Sequence, residues 1–366
     1  MAATKTRPKK SRVGSTSRTM FDVARRAGVS VKTVSRVVNG EQGVSESTRL
    51  RVTRFIEQLG YYPHKGARSL RTEPRDCIGV TIPAPVEQVP VRDTFFVRLF
   101  EAFYRIYGKQ GKYLIFDLNP YRKDTHICYA RGLWEQRYWG CVLCGPLKLG
   151  DTTLVRIHNS GQPYLAMGRL DSLPDCSSAT VDYAEASRLS VAHLVESGHT
   201  RIGLLRGFEG FQSGVDRERG YLEGIEAAGF APDPRLVKST KFSKGDVTAK
   251  VHQLLSDTSV TAVIDASGSE NAEEIREGCS RAGRVLGRDV ELLPWTYTAN
   301  ACVLREAAAH VWLPVWEAAV DGLEQFSSWF SGENSGPVQV MYKPILSRAN
   351  MSEEMPAPVT LFGPRD

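Results

Sequence analysis

Residues 19–71 constrain this chain more than any other stretch. The run TMFDVARRAGVSVKTVSRVVNG, then VSESTRLRVTRFIEQLGYYPHKGARSLR, reads as three short helices followed by a polar segment. Thr19 is placed to cap the first helix, with Asp22 three residues on as its reciprocal partner. Val23, Ala24 and Ala27 supply one apolar face, and Gly28 ends it. Ser30 caps a second helix after only a Gly-Val turn. Val34, Val37 and Val38 point inward there, Val31, Lys32, Thr33, Ser35 and Arg36 largely outward, and Asn39-Gly40 closes it. Two helices joined by so tight a turn make a helix-turn-helix. Ser45 caps the third helix, whose Val52, Phe55, Ile56 and Leu59 repeat at i, i+3, i+4 and i+7 before Gly60 and Pro63. Helices this short need a shared core. In HKGARSLRT only Ala67 and Leu70 are apolar, which predicts a segment that orders only on a partner.

Charge sharpens the reading. Residues 1–75 hold 17 Lys and Arg against 5 Asp and Glu, a net +12, whereas the whole chain carries +6, so residues 76–366 carry −6. A basic head on a mildly acidic body fits a nucleic-acid partner at one end only. Residues 1–18, with six basic and no acidic residues, read as a disordered arm adding nonspecific phosphate attraction. They lack the apolar run of a secretory signal, and no stretch of about 18–20 apolar residues predicts a membrane span. Seven scattered cysteines fit reduced thiols in a cytoplasm better than a disulfide framework. Cys141-Val-Leu-Cys144 has knuckle spacing, but it lies in the apolar run GCVLCGP without a second Cys/His pair. It reads as a buried strand whose thiols point to opposite faces.

From Cys77 onward strand and helix patterns alternate. CIGVTIP, KYLIFDL, GCVLCGP and PYLAMG read as strands. TFFVRLFEAFYRIYGKQG, a segment reaching about Tyr138, and TLVRIHNSG read as helices between them. The rhythm restarts in ATVDYAEASRLSVAHLVESGHTRIGLLRG, followed by the helix ERGYLEGIEAAGF, the strand TAVIDAS and the helix NAEEIREGCSRAG. This predicts two lobes of mainly parallel, doubly wound sheet with a cleft between them. Residues 207–214, GFEGFQSG, read as a mobile loop at the cleft mouth, where Phe208 or Phe211 could stack on a sugar face. There is no HExxH, Walker loop or GxSxG turn, so nothing recommends an enzyme, and no cofactor or metal motif is present.

The strings DVARRAGVSVKTVSRVVNG, VSESTRLRV, LGYYP and ARSLR resemble the DNA-binding headpiece and hinge of the lactose-repressor (LacI/GalR) family of bacterial transcription regulators. Some fifty consecutive residues match, which a purely structural three-helix module would not explain. In the body, Val181-Asp182-Tyr183, the segment from His193-Leu194 to Gly198-His199, Arg217-x-x-Gly220-Tyr221 and Pro344-Ile345-Leu346-Ser347-Arg348 look like the family's effector-domain motifs. The resemblance implies an all-α headpiece on a two-lobed periplasmic-binding-protein-like body with three chain crossings and an effector in the cleft. It divides the chain into an arm (1–18), a helix-turn-helix domain (19–62), a hinge (63–74) and an effector-binding, dimerising body (75–366) first crossed near 175–182.

In that reading the second helix enters the major groove. Arg36 pairs bidentately with a guanine, Lys32 donates to guanine or thymine, and Val31 meets a thymine methyl. Ser30, Thr33, Ser35 and Asn39 make phosphate or mixed contacts. Thr19, Tyr61, His64, Ala67 and Arg68 join the candidate DNA contacts. Leu70, like the family's wedging leucine, enters a base step. The partners implied are a pseudo-palindromic operator in double-stranded DNA, a second copy of the chain and a small effector; a repressor is expected, cytoplasmic and without a membrane partner. No heptad pattern in MSEEMPAPVTLFGPRD suggests a tetramer.

Candidate effector contacts are Arg217, Asp182, Phe95 and Phe208, while His193 and His199 read as packing and capping. Asp182 has strand-end capping as its competing reading, and Arg217 a surface ion pair with Asp216 or Glu218. The family's Asn-Asp pair is replaced by Ser267-Gly268-Ser269, so no carboxylate is expected there unless Asp265 or Glu270 supplies one, and the Pro-Leu-Thr-Thr segment is unrecognisable in ANACVLREAAAH. An arginine without its carboxylate points to a sugar acid or sugar phosphate rather than a neutral sugar. Two other classes compete: a solute-binding protein, disfavoured by the headpiece, and a regulator whose altered pocket answers to a non-sugar ligand, a protein or nothing.

Overall fold

The computed structural model describes residues 19–38, 41–59, 76–83, 94–118, 129–241, 245–267, 271–297, 306–332, 336–348 and 359–360. By its internal contacts the chain forms two compact units, Met1–Glu73 and Pro74–Asp366.

In the small unit, α1 spans Met20–Ala27, α2 Val31–Val38 and α3 Glu46–Leu59. The capping box forms: the Thr19 N–H donates to Asp22 Oδ2 at 2.9 Å, and the Asp22 N–H donates to Thr19 Oγ1 at 3.4 Å. Gly28 ends α1 in the left-handed region, φ 63°, where a side chain would be strained. Ser30 Oγ then accepts the Thr33 N–H at 3.1 Å and starts α2. Val23, Ala24, Ala27, Val34, Val37 and Val52 form one buried cluster, with Phe55, Ile56 and Leu59 packed against it. At eight residues each, α1 and α2 would not persist alone, so this cluster is what holds them. Gly40 and Gly60, expected to end α2 and α3, fall outside the described residues.

The body continues with β1 (Cys77–Thr81), α4 (Thr94–Tyr107), β2 (Tyr113–Asp117), α5 (Arg131–Trp134), β3 (Gly140–Leu143), α6 (Thr152–Asn159), β4 (Tyr164–Ala166) and β5 (Ser178–Val181). Next come α7 (Tyr183–Glu196), β6 (Ile202–Gly207), α8 (Gln212–Ala227), β7 (Val237–Ser239), α9 (Asp246–Leu255), β8 (Ala262–Asp265) and α10 (Ala272–Arg281). The last elements are β9 (Glu291–Thr296), β10 (Ala309–Trp312), α11 (Val315–Ser331), β11 (Gln339–Tyr342), β12 (Ile345–Arg348) and β13 (Val359–Thr360).

Two sheets result, ordered β13-β11-β5-β4-β3-β1-β2 and β12-β10-β9-β8-β6-β7, parallel except where β12 and β13 pair with their neighbours. Each is the core of a lobe. The chain passes from the first sheet to the second between β5 and β6. It returns through α11, which packs on α4, β4, β5 and β11, and passes again to the second sheet between β11 and β12. The two-lobed α/β architecture expected from the alternating pattern is therefore the one formed.

Cys141 and Cys144 lie in different apolar clusters on opposite faces of the first sheet, fully buried, and burial drives both thiols far above their ordinary range. A buried neutral thiol neither ligates nor exchanges readily.

Two local expectations change. The helix expected up to Tyr138 ends at Trp134. Tyr138 instead turns inward and donates its hydroxyl to the buried Asp117 at 2.8 Å, while Asp117 also accepts the Gly132 N–H at 2.7 Å. The loop expected over 207–214 is shorter: β6 ends at Gly207, α8 begins at Gln212, and Phe211 is buried. Phe211 packs under the chain rather than offering a face to a sugar.

Candidate functional site

On the small unit, α2 turns Val34 and Val37 into the core, which leaves Lys32 exposed and Thr33, Ser35 and Arg36 half-exposed. Lys32 and Arg36 sit one turn apart, so both project from the same side. Arg36 Nε lies 4.0 Å from a Glu41 carboxylate oxygen, a loose, solvated pair that a nucleic acid can displace at little cost. Val31 is less outward than expected: it packs partly on the helical core. Thr19 and Ser30 serve as caps, and Ser30 Oγ also lies 2.9 Å from Thr33 Oγ1. Asn39, Tyr61, His64, Ala67, Arg68 and Leu70 lie outside the described residues.

In the body, a cavity of about 70 Å³ opens between the lobes at the carboxyl ends of the strands. Phe95 and Phe96 from α4 form its first-lobe wall. The loops after β3 and β4 add Leu147, Met167 and Arg169, and the second lobe contributes Phe208, Gln212, Asp216, Arg217, Ser267 and Tyr297. Phe95 stands edge-on to Phe96 at 5.3 Å and to Tyr297 at 5.6 Å; three of the four expected contacts, Phe95, Phe208 and Arg217, line the cavity.

Arg217 is the centre of this arrangement. Only 7% of it is exposed, and its guanidinium lies over the rings of Tyr183 (4.8 Å) and Trp295 (5.7 Å), which are parallel to within 7°. Its Nη1 donates to the Arg206 carbonyl at 3.2 Å, while Nε has no hydrogen-bond partner among the described residues. The surface ion pair weighed from sequence is not made. Glu218 pairs with Arg206, and Asp216 accepts from Arg169, Arg219 and Gln212. A buried cation held by aromatic faces and one carbonyl retains unused donor capacity.

A buried carboxyl group stands near this guanidinium. Asp265 ends β8 fully buried, accepting from the Ser267 N–H at 3.2 Å, from the Ser267 hydroxyl and from Asn271 Nδ2 at 3.4 Å. Burial raises its pKa, while Ser267, Asn271 and the positive charge of Arg217 oppose that rise. Gly268 and Glu270 are outside the described residues; Asp265 does not itself line the cavity, whereas its hydrogen-bond partner Ser267 does. Asp265 is one of the two residues that the sequence offered as a substitute for the absent carboxylate.

Asp182 is corrected. Its Oδ1 accepts the Glu185 N–H at 2.9 Å as the cap of α7, and it does not line the cavity. The start of α7 uses the carboxylate that was expected on a ligand. His199 is a strut between Thr261 Oγ1 and Glu291 Oε2, 2.8 Å from each, and His193 is buried in α7. Tyr183, Tyr297, Arg169, Asp216 and Gln212 were not expected at the site. Tyr183 adjoins Asp182 in sequence, whereas Tyr297 follows a strand that the pattern did not reveal.

A helix-turn-helix unit on a two-lobed α/β body with a cleft at its strand ends defines a DNA-binding regulator of the kind that carries a ligand-binding body. Comparison with known proteins agrees. Residues 19–64 match the family of bacterial regulatory proteins called the lacI family, and residues 191–304 match the periplasmic binding protein-like domain. The HTH-type transcriptional regulator CelR of Thermobifida fusca is 30% identical over 278 residues, 75% of this chain and 81% of that protein. Catabolite control protein A of Priestia megaterium is 24% identical over 333 residues, 89% of this chain and 97% of that protein. The lac repressor dimer bound to operator and the anti-inducer ONPF superposes with a TM-score of 0.76 at 22% identity, over 91% of this chain and 98% of that one. A CelR–cellobiose complex gives 0.63 at 25%, over 90% and 98%. The chain belongs to the lacI family. It is a DNA-binding transcriptional regulator, and the regulators it matches are not enzymes. No helix among the described residues is long and apolar enough to cross a membrane.

Proposed function

We propose that this chain represses transcription as a homodimer on a two-fold-related operator and that a sugar entering the inter-lobe cleft changes its grip on DNA. The observation that carries the effector half is Arg217, buried against two aromatic faces beside a cavity and left with spare donor capacity. The domain plan remains as read from sequence: arm 1–18, reading head 19–62, hinge 63–74 and body 75–366. Arg36, Lys32 and Val31 read bases, while Thr19, Ser30, Thr33, Ser35 and Asn39 meet the backbone or mixed positions. Leu70 wedges into a base step where the hinge meets the minor groove, and Tyr61, His64, Ala67 and Arg68 are further DNA contacts.

The effector class follows from charge. Asp265, buried near enough to Arg217 to feel its charge, supplies part of the counter-charge, so the ligand need not be an anion. A neutral, polyhydroxylated sugar stacked on Phe95 and Phe208 is favoured over the sugar acid or sugar phosphate expected from sequence. The similar CelR protein in complex with cellobiose supports the same class. Calorimetry on the full chain with glucose, cellobiose, gluconate and glucose 6-phosphate tests this. Arg217→Ala is expected to weaken binding of the preferred sugar by tenfold or more, about 1.4 kcal/mol or above, because a hydrogen bond from a charged donor is lost. Preference for the phosphorylated or acidic sugar would overturn the neutral class, and binding of none would favour the altered-pocket regulator.

The dimer has a candidate face. Val97, Phe100 and Tyr104 lie along one side of α4, and Phe116 on the edge strand β2 meets Phe100 at 5.5 Å; Tyr104 is 83% exposed. Monomeric proteins seldom leave so contiguous an apolar patch in water. A second copy is the proposed occupant. Sedimentation equilibrium should give twice the chain mass, and the double variant Phe100→Glu, Tyr104→Glu should give one chain mass and lose tight operator binding. A wild-type monomer at micromolar concentration would refute this.

A further inference from the structure

We infer that the two lobes are fastened to each other by a clasp made of the chain's own residues beside the cavity, with Arg169 and Asp216 as its lock, so that the resting body is closed and the effector must open it to enter.

The clasp begins with a backbone need. The first N–H groups of a helix have no intrahelical acceptor, and Phe211, the residue before α8, offers no side-chain cap. The acceptor comes from the opposite lobe instead: the Gln212 N–H donates to the Leu147 carbonyl at 3.0 Å. Two residues along, the Leu149 N–H returns a bond to the Gly210 carbonyl, also at 3.0 Å. Lys148 and Phe211 thus form a one-rung antiparallel bridge between lobes, and the Lys148 ammonium lies 5.9 Å from the Phe211 ring centre.

Side chains extend this pairing towards the cavity. Asp216 in α8 is only 3% exposed and accepts from Arg169 of the first lobe at 3.0 Å, from Arg219 at 3.0 Å and from Gln212 at 3.1 Å. The Gln212 amide spans the gap twice, accepting the Asp171 N–H at 3.2 Å and donating to Asp171 Oδ2 at 2.9 Å. Arg169 also pairs with Asp171, which closes the ring of contacts. Burial pushes the Asp216 pKa up against the pull of Arg169, Gln212 and Arg219; at Asp171 burial also pushes up, but the hydrogen bond and charge of Arg169, with Gln212 and Arg219, together outweigh it and hold it down. A carboxylate this buried requires cationic partners, and one of its two arginines belongs to the other lobe.

Arg169, Asp171, Gln212, Asp216 and Arg219 each find a partner within the ring, so the ring holds without a ligand. The cavity it borders, about 70 Å³, is well below the roughly 300–1,000 Å³ of ordinary ligand sites, so a sugar requires the lobes to part. This gives the cleft a default state, and ligand affinity then includes the work of releasing the clasp.

Amide hydrogen exchange on the full-length protein, with neither sugar nor DNA added, tests the inference independently of the effector and operator proposals. Peptides carrying the Leu149 and Gln212 amides should be protected in the wild type. Arg169→Gln and Asp216→Asn should each speed their exchange tenfold or more. Peptides from β8 and the middle of α7 serve as folding controls and should keep their protection; the second variant covers a first that does not fold. Unprotected Leu149 and Gln212 amides in the wild type would overturn the inference. So would unchanged protection in both folded variants.

Discussion

Arg36→Ala is expected to lower operator affinity by roughly 1–3 kcal/mol per half-site and to relax specificity at one base position in each half. For a dimer engaging both halves the loss compounds to about 2–6 kcal/mol, roughly 30-fold to more than 10⁴-fold. Stability should hardly change. The side chain is 43% exposed, and its one ion pair among the described residues is the 4.0 Å approach to Glu41, a solvated contact worth at most about 1 kcal/mol. Deleting residues 1–17 provides the contrast, because phosphate attraction without base contact should weaken all sequences alike and flatten the salt dependence. Binding-site selection followed by titration at two salt concentrations reads both effects. If the selected sequence keeps its preference after Arg36→Ala, α2 is not the reading helix.

Gly220→Ala should destabilise the body more than any other single methyl addition in α8. A Cβ at residue 220 would stand 2.0 Å from the Ala184 carbonyl oxygen and 2.6 Å from its Cα, both backbone atoms of α7. Alanine favours a helix over glycine by about 1 kcal/mol. Overpacking costs about 1–3 kcal/mol even where side chains can yield, and here no side chain is available to yield. The clash therefore wins, and α7 and α8 must separate. Gly224 is the internal control, since its added Cβ would meet only the Val191 side chain at 3.0–3.3 Å. Thermal melts should place Gly220→Ala several degrees below wild type and Gly224→Ala much closer to it. Because Arg217 lies one turn before Gly220 and its carbonyl is tied to Ser187 at 2.7 Å, the same variant should weaken sugar binding. Equal melting temperatures for the two variants would mean that α7 and α8 are not held at this distance.

Much of this protein was readable along the chain because its signals are local. Thr19, Asp22, Gly28 and Ser30 act on neighbours within four residues, and the valines of α1 and α2 repeat at helical spacing, so caps, turn and core face follow from order alone. The strands around Cys141 and Ile264 are short apolar runs between turn residues, which is enough to identify two α/β lobes. The later strands β9 to β12 and helix α11 were not read: β9 is interrupted by Pro294, and the Ala-rich stretch before β10 carries no alternation.

What order alone could not decide is which groups end up sharing a dielectric. Asp182 and Arg217 both matched ligand-contact patterns, yet one is consumed by the helix start beside it, while the other is buried against Tyr183 and Trp295, 34 residues before and 78 after it in sequence. Asp216, adjacent to Arg217, looked like its partner but faces Arg169, 47 residues away and on the other lobe. The sequence by itself determined the reading head, the two lobes and the presence of a cleft, since each rests on periodicity and short-range capping. Only the tertiary structure decided the chemistry of the cleft and its clasp, because burial and charge pairing depend on distances across space that successive residues do not encode.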